Sequence, residues 1–167
     1  MRRGALLIAA WVSSLMIQPA RADECDALTA KIGAATGATI EFRSGADVHF
    51  DQPDYRMALF CDARPQKIRV TIDNPAPAAE FFASLGLAGA ALTGADPFKI
   101  GRAAVACYKA GLTVPNRGAE VLNREFTVSC DDRSNGFQAF IYKEPRPERP
   151  EGSCVSETGG RCTPIVD

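Results

Sequence analysis

Residues 38–51 read ATIEFRSGADVHFD. Ile40 and Phe42 alternate with Thr39, Glu41 and Arg43, and Val48 and Phe50 then alternate with Asp47, His49 and Asp51. Successive side chains of a strand point to opposite faces, so a period of two predicts half-buried strands. Ser44-Gly45-Ala46 between the two runs predicts a turn, and Pro53 ends the second because it has no N–H for a ladder. The same alternation returns over residues 55–61 and 67–72, separated by turn residues 62–66.

On the N-terminal side, Cys25, Leu28, Ile32 and Ala35 recur at helical spacing, and Gly37 supplies the residue that ends a helix over 24–36. On the C-terminal side, Asn74-Pro75 begins a helical region that runs through Ala76 to about residue 92. Its stretch from Phe81 to Ala95 is uncharged and carries Gly86, Gly89 and Gly94. It is too short to span a bilayer and reads as a core helix packed close to a neighbour. Asp96-Pro97 reads as an N-cap followed by an N1 proline, opening a further helix that stops at Gly111. Strands over 121–130 and 137–142 follow, joined by Asn135-Gly136 as a hairpin turn. The order is αββββααββ. Segregated helices and strands predict an α+β fold, an antiparallel sheet with helices packed on one face.

The 167 residues are 46% apolar and 23% charged, which excludes a collagen-like or wholly disordered chain. Met1-Arg2-Arg3 is a short cationic start, Gly4 to Ile17 an apolar run, and Ala20-Arg21-Ala22 a small-residue cleavage pattern. Together they predict a signal peptide, residues 1–22, cut after Ala22 to release the chain into the periplasm or medium. Removing Arg2, Arg3 and Arg21 leaves 16 basic against 20 acidic residues, a balance with no footprint for nucleic acid. No apolar run of the mature chain is long enough for a membrane span. Residues 23–142 then form one domain. Residues 143–167, where Pro145, Pro147 and Pro150 interleave with charges, form a tail.

Six cysteines in an exported chain predict three structural disulfides. Positions 25, 61, 107, 130, 154 and 162 contain no Cys-x-x-Cys, against both a zinc site and a thioredoxin-like centre. Cys154 and Cys162 are expected to close a small loop in the tail. The four others lie on apolar faces, and pairing helix with helix and strand with strand predicts Cys25–Cys107 and Cys61–Cys130.

Asp47, His49 and Asp51 share one strand face and form the candidate metal-binding or acid–base group, though one histidine among solvated carboxylates is also the signature of a polar outer face. Arg64, Lys67 and Arg69 form a basic cluster suited to an anionic partner or a lipid head group, though with Asp62 and Asp73 nearby it also reads as ordinary balanced surface charge. No catalytic serine motif, phosphate loop or dinucleotide fingerprint occurs, and no cofactor is expected. The leading expectation is a non-enzymatic periplasmic accessory or binding module that contacts another envelope protein. A small hydrolase using His49 with Asp47 and Asp51, and a carrier with an apolar pocket between sheet and helices, are the alternatives.

Overall fold

A computed structural model describes residues 19–112, 118–133 and 136–143. The fold is the expected α+β arrangement. Helix α1 (Pro19–Thr36) precedes strands β1 (Thr39–Ser44), β2 (Asp47–Asp51), β3 (Arg56–Phe60) and β4 (Lys67–Ile72). Helices α2 (Ala79–Thr93) and α3 (Pro97–Leu112) lead into β5 (Ala119–Leu122), β6 (Thr127–Arg133) and β7 (Gly136–Tyr142). All seven strands form one antiparallel sheet in the order β1-β2-β3-β4-β7-β6-β5. Among the described residues no helix is long and apolar enough to cross a membrane.

The helix boundaries follow local chemistry. Gly37 and Gly94 adopt φ of 73° and 83°, and their N–H groups donate to the carbonyls of Gly33 and Ala90 at 2.8 and 2.9 Å. Such left-handed positions suit glycine, which has no Cβ to clash. Asp96 Oδ1 accepts from the N–H groups of Phe98 and Lys99 at 2.7 and 3.2 Å, the expected N-cap of α3.

The strand register explains the core. Val48, Leu59, Ile68, Ile141, Val128 and Val121 pair in succession from β2 to β5, and so do Phe50, Met57, Val70, Ala139, Cys130 and Ala119. Both rows face the helices and are buried throughout. At about 25 cal/mol per Å² of apolar surface removed from water, such rows are the main stabilising term. Helix α2 presses closely on them. A Cβ at Gly86 would run into the carbonyl oxygen of Pro97, and one at Gly89 would lie 2.8 Å from Ile141 Cδ1. The glycines of the uncharged run are thus what lets α2 approach α3 and the sheet. Phe81 and Tyr108 meet Phe137 edge-on, with centroids 5.9 and 5.2 Å apart, and Tyr108 donates to the carbonyl of Pro75 at 2.8 Å.

Three expectations require correction. The described disulfides are Cys25–Cys61 and Cys107–Cys130, with Cα separations of 5.7 and 5.9 Å, in place of Cys25–Cys107 and Cys61–Cys130. The reason is the sheet order. Between β3 and β6 lie β4 and β7, so the two strands are about 14 Å apart at about 4.8 Å per strand, beyond disulfide reach. Helix α1 is instead stapled to the residue that follows β3, and α3 to β6. Residues 121–130 are not one strand but the end of β5, a turn and the start of β6. Asn123 Oδ1 accepts from the Glu125 N–H at 3.0 Å, and the Asn123 N–H donates to Phe126 at 3.0 Å, folding the run back on itself. Finally, a bulge between Ile40 and Phe42 opposes Ile40 to Phe50 but Phe42 to His49. The two apolar residues of β1 therefore lie on opposite faces, and all six positions of the strand are exposed. The expected signal segment up to residue 18, Cys154 with Cys162, and Asn135 of the hairpin turn lie outside the described residues.

Candidate functional site

The same alternation that fills the core leaves a second set of side chains on the face away from the helices. Asp47, Phe60, Lys67, Tyr142, Thr127 and Leu122 pair across that face, and beside them His49, Ala58, Arg69, Phe140, Ser129 and Glu120. The centre of this surface is aromatic and cationic. Lys67 Nζ lies 5.2 Å from the Phe60 centroid, 5.3 Å from that of Phe140 and 5.8 Å from that of Tyr142. The Arg69 guanidinium sits 5.1 Å from the Phe60 ring, and the rings of Phe140 and Tyr142 stack at 6.1 Å.

Adjacent-strand spacing brings the rings of β3 and β7 to either side of β4, whose outward residues Lys67 and Arg69 lie two positions apart. A cation over a ring contributes roughly 0.5–1 kcal/mol at exposed sites and about 2 or more when desolvated. Both cations are half-buried. Ion pairs join Arg43 to Asp26 at 2.6 Å and Arg56 to Asp73 at 2.9 Å, whereas neither Lys67 nor Arg69 has a carboxylate within pairing distance among the described residues. Rings hold these charges in place but leave their N–H donors available to an anion.

Towards β5 and β6 the face changes sign. Tyr142 has its phenol raised above the ordinary tyrosine value by burial first, and then by the carboxylates of Glu120 and Asp131. The centre of the surface thus carries cations and its β5–β6 side acids, with Tyr142 between them.

The residues singled out from sequence divide. Lys67 and Arg69 come together as expected, whereas Arg64 is held in the turn after β3, donating to the carbonyls of Cys61 and Ala63 at 3.2 and 3.0 Å. Asp47 and His49 occupy the open face and Asp51 the exposed end of β2. Asp47 and Asp51, four residues apart on one strand, are separated by about 13 Å at about 3.3 Å per residue, too far for all three side chains to close around one ion. Among the described residues no three His, Cys, Asp or Glu side chains gather as a metal cage. The His49 ring stacks on Phe42, with centroids 4.1 Å apart and an interplanar angle of 11°. For a carrier, the tight approach of Gly89 to Ile141 and Ile100 leaves no room for a ligand at that point of the helix–sheet interface.

Phe60, Phe140 and Tyr142 were not singled out from the sequence. The signal was present in β7, where FQAFIY carries Phe137, Ala139 and Ile141 on one face and two rings, Phe140 and Tyr142, beside Gln138 on the other, as suits a central strand with rings on its outer side. No known protein family, curated protein or solved structure matches this chain.

Proposed function

We propose that this chain is an exported protein of the bacterial envelope, released by cleavage after Ala22, that acts as a non-enzymatic binding module. Its open sheet face docks an acidic segment of another envelope protein. The observation that carries this reading is the pair Lys67 and Arg69, fixed by Phe60, Phe140 and Tyr142 yet without a carboxylate among the described residues. An extended acidic peptide lying across β3, β4 and β7 places its carboxylates on the two cations and its apolar side chains on the rings. Two disulfides fit the oxidising compartment that the N-terminal segment addresses.

The test is in-cell cross-linking followed by fractionation. The mature chain is expected in the periplasmic extract beginning at Asp23, with a cross-linked partner that is lost in Lys67→Glu/Arg69→Glu and weakened by salt. A cytoplasmic, uncut chain defeats the export half. A partner retained at full yield by the double variant defeats the assignment of the face.

A further inference from the structure

The sheet has two edges, and they are finished differently. At one, β5 is only four residues long, its Ala119 and Val121 are buried, and α3 packs on it. At the other, β1 pairs with β2 on one side only, and every one of its six residues is exposed. Ile40 and Phe42 are 50% and 47% exposed, a large apolar content for a strand whose outer row of N–H and C=O groups has no strand beside it among the described residues. Such an edge is a template for another strand.

We propose that the occupant is β1 of a second copy of this chain, paired antiparallel about a two-fold axis through Phe42. Three registers centre the pairing on the middle of the strand. An axis at Glu41 opposes two like charges. An axis between Glu41 and Phe42 sets Ile40 against Arg43 and Glu41 against Phe42. An axis at Phe42 opposes Glu41 to Arg43 of the other copy on both sides and sets the two Phe42 rings together. Only this third register matches charge with charge and ring with ring. Arg43 is equipped for the added contact, because Asp26 engages one guanidinium nitrogen, Nη2, at 2.6 Å, and a guanidinium carries five N–H donors on this half-exposed side chain. The stacking of Phe42 on His49 holds each ring in place before the copies meet, lowering the ordering cost of association. The bulge at Glu41 limits the length of regular pairing, and one short strand edge buries little area, so the dimer is a weak, concentration-dependent one.

This edge is distinct from the face that carries Lys67 and Arg69, and the two readings fail separately. The experiment uses the mature, oxidised chain with a single added cysteine. Opposed residues of an antiparallel pair have Cα atoms about 4.5–5.5 Å apart, within disulfide range. Phe42→Cys is therefore expected to form a covalent dimer under mild oxidation, while Thr39→Cys and Ser44→Cys, which do not oppose themselves in this register, stay monomeric. Sedimentation of the unmodified chain is expected to show a reversible rise in mass with concentration that Phe42→Asp abolishes without lowering the melting temperature. A chain monomeric at every soluble concentration, or equal cross-linking at 39, 42 and 44, overturns the proposal. Loss of dimer in Lys67→Glu/Arg69→Glu would also overturn it, by moving the contact to the open face.

Discussion

Ile141 and Phe140 are neighbours on β7, and the peptide bond between them separates two environments. Ile141 faces the helices in a row of six apolar residues and is fully buried. Phe140 faces away, half-buried, with the Lys67 ammonium 5.3 Å from its ring. Both are large and apolar, yet one is fixed by exclusion of water and close packing, and the other by a charge that stays accessible. The helix-covered face therefore carries the stability of the fold, and the open face carries side chains whose arrangement the fold does not require. Both staples lie on the covered side.

The largest expected effect comes from those staples. Cys107→Ser/Cys130→Ser and Cys25→Ser/Cys61→Ser should each lower unfolding free energy by about 3–4 kcal/mol, from the loss of loop closure over sequence separations of 23 and 36 residues. Chemical denaturation of the two double variants measures it. A midpoint unchanged in either variant would remove that disulfide from the account. Next, Ile141→Ala should cost about 3 kcal/mol and Phe140→Ala about 1 kcal/mol, the first losing packed core and the second a ring–cation contact. Equal costs for the two neighbours would erase the distinction between the faces.

The smallest effect is electrostatic. Because burial, Glu120 and Asp131 raise the Tyr142 phenol in the folded protein, the neutral form is favoured there. The resulting stability is fully present below the ordinary tyrosine value, about 10, and is lost as pH rises through the higher folded value. Ultraviolet titration should show Tyr142 ionising at higher pH in the folded than in the denatured chain. Tyr142→Phe should flatten the alkaline fall in stability. An unchanged alkaline profile in that variant would mean that neither burial nor the carboxylates of Glu120 and Asp131 raise the phenol.

The covered face was legible because burial imposes a period of two, and the helix ends because Gly37, Asp96 and Gly94 are local chemistry. Disulfide pairing was not, since it depends on β7 entering between β4 and β6, a long-range event that no local pattern records. The bulge at Glu41 was equally hidden, because Ile40 and Phe42 keep the spacing of a regular strand while facing opposite ways. The turn at Asn123 had a visible signal in Asn123-Arg124-Glu125, three polar residues inside an otherwise alternating run. The site was half legible: Lys67 and Arg69 from their charge and spacing, but their aromatic frame only once β3, β4 and β7 were known to be neighbours.

The placement of the two disulfides has a mechanical consequence. One closes the chain from Cys25 to Cys61 and the other from Cys107 to Cys130, so neither crosses the contact between β4 and β7. Under tension applied at the two ends, the segments inside those rings cannot lengthen. The slack must come from residues 62–106, which hold β4 and α2, and from β7 beyond Cys130. The yield point under load is therefore the β4–β7 seam, whose strands run antiparallel in a continuous register from Lys67 with Tyr142 to Ile72 with Phe137. The molecule is built as two covalent rings with β4 and β7 zipped together between them by backbone hydrogen bonds, and α2 lies across that seam.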